Sequence, residues 1–153
     1  MMTSAPARLT PGPAQTDLSA LRFNQYAVIG VTTLALVSGL SALPLTLGAA
    51  MLLGAVRPDL SPLRAAYRMF GRRLGLAPEV VEEDPRAHHF AQGVGGVFLL
   101  ASGLSTLAGL PLLGLGLGLA VIALAGLNLS QNICVGCLMY FQYRRLRYAV
   151  LSR

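Results

Sequence analysis

Apolar residues fill two long blocks of the chain, and a proline divides each block once. This pattern predicts four membrane-spanning helices, over residues 26–43, 45–56, 90–110 and 112–130. A hydrocarbon core of about 30 Å requires about twenty helical residues, so the second segment spans it only with little tilt or with local thinning of the bilayer. A re-entrant hairpin is the alternative for that segment. The predicted fold class is therefore an all-α membrane protein.

The pattern of the first block recurs in the second at a constant offset of 67 residues. Three residues of each block correspond in this way: Asp17 with Asp84, Phe23 with Phe90, and Gln25 with Gln92. The same offset relates the Leu-Pro-Leu triplet at 43–45 to the one at 110–112. We interpret the offset as an internal duplication of a helical hairpin, in two parallel repeats.

Local residue chemistry predicts the ends of these helices. Asp17 and Asp84 are suited to cap helix N-termini, because a short carboxylate accepts hydrogen bonds from the first free amides. Pro85 suits the first helical position, where no amide donor is needed. Pro44 and Pro111 are predicted to end the first helix of each hairpin, because proline lacks an amide hydrogen.

Charge determines the predicted orientation. Only 12% of the residues are charged, 54% are hydrophobic, and all twelve cationic residues are arginine. The net charge of +6 does not indicate nucleic-acid binding, since the arginines flank apolar runs with few aromatic residues among them. No charge lies in the turns around residues 44 and 111. The positive-inside rule therefore predicts that both termini and the central loop lie in the cytoplasm. Arginine without lysine, together with the excess of Ala, Gly, Leu and Pro, is typical of a GC-rich bacterial genome, so we expect a bacterial inner-membrane protein.

These boundaries predict one four-helix domain over residues 17–150. Repeat 1 covers about 17–56, an interfacial loop and helix cover 57–83, and repeat 2 covers about 84–143. Residues 1–16 carry three prolines and no periodicity, so a disordered tail is predicted there rather than a cleaved signal peptide.

The central loop contains an amphipathic segment. Ser61 is a candidate N-cap, and apolar residues at helical spacing extend from it as far as Leu74. Arg64, Arg68 and Arg72 step by four along the other face, which is typical of an interfacial helix that binds anionic lipid. A docking site for an acidic partner is the alternative. The acidic residues that follow the segment are interpreted as a solvated face: Glu79, Glu82 and Glu83.

The glycine-rich run at 113–119 does not indicate a phosphate-binding loop, because it has no lysine and no strand-to-helix context. Gly114 and Gly118 instead form a small-xxx-small pair that allows close helix packing.

The two cysteines of the chain, Cys134 and Cys137, form a Cys-x-x-Cys pair. Cys134 lies 22 residues beyond Leu112, about 33 Å along a helix, which predicts a position at the cytoplasmic membrane edge. The spacing suits a disulfide, and it is a recognised redox geometry. A permanent disulfide is not expected in a reducing compartment, so the thiols either pack as small hydrophobic groups or cycle between dithiol and disulfide.

A helix start immediately before the pair would favour the reactive thiolate. Asn128, Ser130 and Asn132 are poor residues for a helix interior and good caps. If one helix ends near Ser130 and another begins near Asn132, Cys134 lies in a first turn, where free amides and the helix dipole stabilise negative charge.

Polar residues at the helix starts are further candidates. His88 and His89 lie at the same end as the thiols, so a Cys₂His₂ metal site is one alternative. Because adjacent histidines point in different directions on a helix, an interfacial polar pair is expected instead, and no metal ligand is assigned. Gln25 and Gln92 are predicted to form interhelical hydrogen bonds or a binding site on the repeat axis. No acid or base lies inside a predicted span, which argues against ion-coupled transport.

Three motifs together resemble a known family. They are Asp-x₅-Phe-x-Gln at the start of each repeat, Ser-Pro-Leu-Arg at 61–64, and Cys-Val-Gly-Cys-Leu-Met-Tyr at 134–140. Over residues 17–143 the chain resembles the bacterial membrane family catalogued as domain of unknown function 4395. The second copy departs from that family at His89, where members often have arginine. The resemblance implies an integral membrane protein without an established activity, associated with thioredoxin-like or sulfurtransferase-like proteins.

Two hypotheses of different classes follow. In the first, Cys134 attacks and Cys137 resolves, and the protein exchanges electrons or sulfur with a thioredoxin-like or sulfurtransferase-like cytoplasmic partner. In the second, the duplicated hairpin is a non-catalytic scaffold or a transporter of small solutes, and Gln25 and Gln92 are the residues that matter. No cofactor is expected in either case, membrane lipid is a partner in both, and the sequence does not fix the oligomeric state.

Overall fold

A computed structural model describes residues 15–71, 73–75 and 77–151. Within these residues the chain forms six α-helices, a short 3-10 turn at Pro58–Leu60 and one pair of two-residue strands. The helices are α1 (Leu18–Ser38), α2 (Ala42–Val56), α3 (Pro62–Phe70), α4 (Pro85–Leu107), α5 (Pro111–Gln131) and α6 (Val135–Leu151). The strands are β1 (Thr16–Asp17) and β2 (Val80–Val81). The all-helical character predicted from the sequence is confirmed.

Three helices begin at the predicted caps. The Asp17 carboxylate accepts hydrogen bonds from the amides of Ser19 and Ala20 at the start of α1. Asp84 accepts from the Arg86 amide at the start of α4, where Pro85 occupies the first helical position. Ser61 accepts from the Arg64 amide at the start of α3. These starts were predictable because a cap and its amide partner lie within three residues of each other.

The predicted helix ends at the two prolines were wrong. α1 ends at Ser38 because Gly39 adopts a left-handed conformation with φ 69°, and α4 ends at Leu107, two residues before Gly109 with φ 81°. Pro44 lies inside the first turn of α2, and Pro111 is the first residue of α5. Proline therefore lies in the first turn of the second helix of each hairpin, where no amide donor is needed from it.

The strand pair links the starts of the two hairpins. β1 runs antiparallel to β2, with Thr16 opposite Val81. The Leu18 amide donates to the Glu79 carbonyl at 2.8 Å, and the Ser19 hydroxyl donates to the Ala77 carbonyl at 2.6 Å. The N-termini of α1 and α4 consequently lie at one end of the bundle, which we call the polar end. Of the tail predicted over residues 1–16, residues 1–14 lie outside the described residues.

α4 is the central helix of the bundle, in contact with α2, α5 and α6. It approaches α2 closely at two glycines, where a Cβ on Gly96 would lie 2.9 Å from the Gly48 carbonyl oxygen. The buried core beside this contact consists of Val28, Leu47, Met51, Leu99, Val121 and Ala125. On α5, Gly114 faces α4 at Ser102, and Gly118 faces Leu36 of α1. Small residues thus permit close packing on both sides of α4 and α5, as predicted for Gly114 and Gly118.

Three helices are long and apolar enough to cross a membrane: α1, α4 and α5. α2 is apolar but has only 15 residues, a length of about 22 Å at 1.5 Å per residue. Its far end returns to the polar end of the bundle, since Gly54 of α2 lies beside the Gln92 side chain of α4.

The amphipathic α3 packs against the start of α1 through Tyr67, whose ring centroid is 5.7 Å from that of Phe23. Burial, together with the nearby Asp17 carboxylate, raises the pKa of Tyr67. Arg64 and Arg68 are exposed on α3, and Arg72 lies outside the described residues. The helix ends at Phe70 rather than continuing to Leu74, and Phe70 is 48% exposed.

Candidate functional site: a dithiol at a helix N-terminus

The helix that leads to the cysteine pair is interrupted at Asn132. Asn132 adopts a left-handed conformation, with φ 54°, and closes α5 at Gln131. After Ile133 and Cys134 the chain starts α6 at Val135, and the Leu138 amide donates to the Cys134 carbonyl as the first helical bond. A new helix therefore starts immediately at the cysteine pair, which the sequence had left open, and Cys134 occupies the N-cap position of α6.

The Cys134 sulfur acts as a cap. Its Sγ accepts a hydrogen bond from the Cys137 amide at 3.3 Å, the bond that a serine or aspartate oxygen makes at this position. The two cysteines form a disulfide, with their Cα atoms 5.1 Å apart. Both residues are half-buried. An amide donor and a helix N-terminus at the same sulfur favour its negatively charged form when the pair is reduced.

His88 lies against the cysteine pair, and its neighbour His89 does not join the cluster. The Nδ1 atom of His88 is 3.5 Å from the Cys137 sulfur, and its Nε2 atom is 2.9 Å from a Glu83 carboxylate oxygen. The His88 side chain is only 13% exposed. Of the two candidate histidines, one is therefore aimed at the thiols, as their adjacent positions on a helix required.

A glycine between the cysteines allows α6 to dock on α4. A Cβ on Gly136 would lie 2.5 Å from the Cβ of Ala91 and 2.7 Å from its Cα. Ala91 is three residues beyond His88, so the same turn of α4 carries the histidine and receives the Cys-x-x-Cys segment. Close contact at Gly136 positions the thiols relative to the imidazole.

A cavity of about 110 Å³ adjoins Cys134 on the bundle side. Gln25 and Gln92 both line it, and so do Asn24 and Asn128. The buried Asn24 amide oxygen has no hydrogen-bond partner among the described residues. Within the same residues neither glutamine makes the interhelical hydrogen bond that the sequence suggested, so their amides face the cavity without protein partners.

An open groove of about 940 Å³ adjoins the same cysteines on the outer side. One wall is acidic, and its residues are Glu79, Glu82, Glu83 and Asp84. The other wall is apolar, and its residues include Leu129, Ile133, Leu138 and Phe141. Cys134, His88 and Gln25 line both the groove and the cavity, whereas Cys137 lines only the groove.

The predicted candidates are brought together only in part. Cys134, Gln25 and Gln92 line one cavity, whereas the exposed Arg64 of α3 lines a different pocket together with His88 and Gln92. The sequence interpretation missed Glu83, which was assigned to a solvated face with Glu79. Glu79 instead pairs with Arg22 at 3.3 Å, and Glu83 pairs with His88. The available signal for Glu83 was its position just before the Asp84 cap, close to His88 along the chain.

No curated protein and no solved structure matches the chain significantly. A family match covers residues 16–145, which include both hairpins, the dithiol and the start of α6. The chain therefore belongs to the family described as "Domain of unknown function (DUF4395)".

Proposed function

We propose that this protein is an integral protein of the bacterial inner membrane that performs thiol–disulfide exchange or sulfur transfer with a soluble cytoplasmic protein. The observation that carries the proposal is the position of Cys134 as the N-cap of α6, with its sulfur accepting the Cys137 amide and joined to the Cys137 sulfur. The open groove beside both cysteines supports access by a protein partner.

The proposed exchange conserves atoms and electrons. The Cys134 thiolate attacks one sulfur of a partner disulfide, forms a mixed disulfide and releases the partner's other sulfur as thiolate. Cys137 then attacks the Cys134 sulfur, which releases the partner as a dithiol and leaves the Cys134–Cys137 disulfide. Two electrons pass to the partner, and the reverse sequence oxidises it. For sulfur transfer, the Cys134 thiolate attacks the outer sulfur of a persulfide on the partner. The partner's own sulfur leaves as a thiolate, and Cys134 becomes the persulfide.

His88 supports the proton movements of this exchange. Its Nδ1 atom lies 3.5 Å from the Cys137 sulfur, within reach of the proton that Cys137 loses before it resolves the mixed disulfide. Glu83 orients the ring through Nε2. His88 is therefore proposed as the proton acceptor, and Cys134 and Cys137 as the attacking and resolving thiols.

Partner trapping tests this function. In Cys137→Ser the mixed disulfide has no resolving thiol, so we expect a reductant-sensitive adduct between the membrane protein and a cytoplasmic thiol protein. Cys134→Ser is the matched control and should trap nothing. If neither variant forms an adduct and both retain the wild-type phenotype, the proposed exchange is wrong.

We further propose that α1, α2, α4 and α5 all cross the membrane, as two parallel hairpin repeats with both termini in the cytoplasm. The uncharged turns at 39–41 and 108–110, the return of α2 to the polar end and the arginines at that end support this topology. In a Cys134→Ser/Cys137→Ser background, Leu40→Cys and Leu110→Cys should react with an impermeant thiol reagent added outside the cell. Arg73→Cys should react only after permeabilisation, and the opposite pattern would overturn the orientation.

The cavity beside Cys134 supports a second candidate function, in which a scaffold or transporter binds a small polar solute there. The unpartnered Asn24 oxygen and the free amides of Gln25 and Gln92 offer hydrogen bonds that a neutral solute would satisfy. Gln25→Leu with Gln92→Leu should then abolish solute uptake into proteoliposomes, while Cys137→Ser, at a residue that does not line the cavity, leaves it unchanged. Equal uptake by wild type and the double variant would contradict this candidate.

A further inference from the structure

We propose that reduced Cys134 and Cys137, together with the Nδ1 atom of His88, form a binding site for Zn²⁺. The three side chains supply two thiolates and one imidazole, and a fourth coordination position stays open to the groove. This inference goes beyond dithiol exchange, because it concerns a metal bound by the reduced form. Binding releases the two thiol protons and involves no change of oxidation state.

The distances fit a tetrahedral ion. The three ligand atoms lie within 4.8 Å of one another. With Zn–S of about 2.3 Å and Zn–N of about 2.0–2.1 Å, a tetrahedral angle places sulfur and nitrogen about 3.5 Å apart. The Cys137 Sγ to His88 Nδ1 distance is 3.5 Å, so one edge of the tetrahedron already has the required length. The Cys-x-x-Cys spacing is also a common one for two zinc ligands.

Glu83 prepares His88 as a ligand. An ionised carboxylate accepts hydrogen bonds and donates none, so the Nε2 atom, 2.9 Å from Glu83 Oε2, carries the proton. In the neutral ring the Nδ1 atom then presents its lone pair toward the sulfurs. A metal-bound histidine usually donates its other N–H to a carboxylate or carbonyl in this way, which fixes the ring orientation.

The surroundings provide rigidity and a route of entry. The thiols lie on α6 and the imidazole on α4, and the close contact of Gly136 with Ala91 fixes the two helices together. Four carboxylates line the groove beside the ligands: Glu79, Glu82, Glu83 and Asp84. Arg22 also lines it and pairs with Glu79 at 3.3 Å, so the remaining excess of carboxylates favours the entry of cations. Partial burial of the His88 side chain limits competition from water at that ligand.

The disulfide and the metal exclude each other, because a sulfur in a disulfide is not a thiolate ligand. Zn²⁺ bound by the reduced pair would protect it from oxidation and from alkylation. Oxidation would release the ion. The same three side chains would then couple the redox state of the pair to its metal load.

Cobalt titration of the full chain tests the site. Purified protein in detergent is reduced under anaerobic conditions, freed of metal, and titrated with Co²⁺, which is then displaced by Zn²⁺. We expect one Co²⁺ per chain, with thiolate-to-cobalt charge transfer and the strong visible bands of tetrahedral coordination. Oxidised wild type should show neither signal, which provides a control that requires no substitution.

Matched variants identify the ligands. Cys134→Ser and Cys137→Ser should lose the charge-transfer band, and His88→Ala should weaken Zn²⁺ binding at least about tenfold while His89→Ala leaves it unchanged. Glu83→Gln should weaken binding by about 10- to 100-fold, with Glu82→Gln as its control. Gel filtration of each variant in detergent checks the fold.

Two results would overturn the site. One is the absence of charge transfer in the reduced wild type, and the other is equal Zn²⁺ affinity in His88→Ala and His89→Ala, which would leave adventitious binding to two thiols. Partner trapping by Cys137→Ser is read separately. Trapping without metal binding therefore refutes the metal site alone, and metal binding without trapping refutes the exchange function alone.

Discussion

An aspartate caps the first helix of each hairpin, and the two aspartates lie 67 residues apart in the sequence. The hairpins also share a glutamine eight residues after the cap, Gln25 on α1 and Gln92 on α4, and both glutamines line one cavity. Their exits differ. α2 ends at Val56 and is followed by Pro58–Leu60 and the basic α3, whereas α5 ends at Asn132 and is followed by the dithiol and α6.

The residues that recur in both hairpins differ in kind from those found in the second hairpin and the segment after it. The capping aspartates and the glutamines recur in both hairpins at this offset. The glycines of the helix contacts do not, since Ile29 and Leu47 stand at the positions that correspond to Gly96 and Gly114. Cys134, Cys137 and His88 have no counterparts at the offset of 67, where Tyr67, Phe70 and Leu21 stand. The two thiols and the histidine beside them therefore belong to the second hairpin and the segment that follows it. We expect substitutions there to change thiol reactivity and metal binding, and substitutions at the caps and helix contacts to change stability.

The largest expected effect is on the contact between the hairpins. Gly96→Ala places a Cβ 2.9 Å from the Gly48 carbonyl oxygen, and because that neighbour is backbone, the helices must separate. We expect a loss of about 1–3 kcal/mol in the free energy of unfolding in detergent. Gly30→Ala is the control, since nothing lies within 4 Å of its added Cβ. Equal stability of the two variants would show that close approach at Gly96 does not hold the hairpins together.

A substitution at Gly136 should change metal binding at the dithiol without changing the stability of the bundle. In Gly136→Ala the new Cβ meets Ala91 at 2.5 Å, so the start of α6 moves away from α4 and the Cys137–His88 contact opens. We expect Co²⁺ affinity under reducing conditions to fall about tenfold, or about 1.4 kcal/mol, with bundle stability nearly unchanged. Gly126→Ala on α5 meets nothing within 4 Å and should leave both quantities as in wild type. Co²⁺ affinity retained in Gly136→Ala would argue against this docking contact.

The two thiols should differ in reactivity even in the absence of a partner. With Cys137→Ser the remaining Cys134 sulfur stands at the N-cap of α6, and with Cys134→Ser the remaining Cys137 stands inside the first turn. Charge stabilisation at a helix N-terminus of about 0.3–1 kcal/mol corresponds to roughly two- to fivefold more thiolate at neutral pH. Alkylation rates of the two variants at pH 7 measure the ratio. A faster Cys137 would reverse the assignment of attacking and resolving thiols.

The sequence predicted those features whose causes are local. Asp17, Ser61 and Asp84 each cap a helix through amides two or three residues away. The sequence left open whether the helix is interrupted before Cys134, and the structure has the interruption at Asn132, with φ 54°. The helix ends were misplaced because the left-handed glycines stop α1 and α4 before the prolines are reached.

The site required information that the sequence does not contain locally. Whether His88 or His89 faces the thiols depends on the rotation of α4 against α6, which Gly136 and Ala91 set by their contact. The role of Glu83 depends in turn on that orientation, because it pairs with the ring nitrogen remote from the sulfurs. The free amides of the cavity likewise follow from how α1, α4 and α5 pack, not from the glutamine positions alone.

The smallest expected effect compares the two caps directly. The Asp17 carboxylate accepts the amides of Ser19 and Ala20 and also that of Glu79, at 3.3 Å, whereas Asp84 accepts only the Arg86 amide within the described residues. Asp84→Ala should therefore cost about 0.5–1 kcal/mol of stability, and Asp17→Ala about 0.5 kcal/mol more, because it also releases the segment before α4. Chemical denaturation of both variants in detergent measures the difference. Equal losses would mean that the bond from the Glu79 amide contributes nothing and that the two caps are equivalent. A larger loss at Asp84 would instead mean that its approach to Arg144, at 3.9 Å, stabilises the end of the bundle that carries the dithiol.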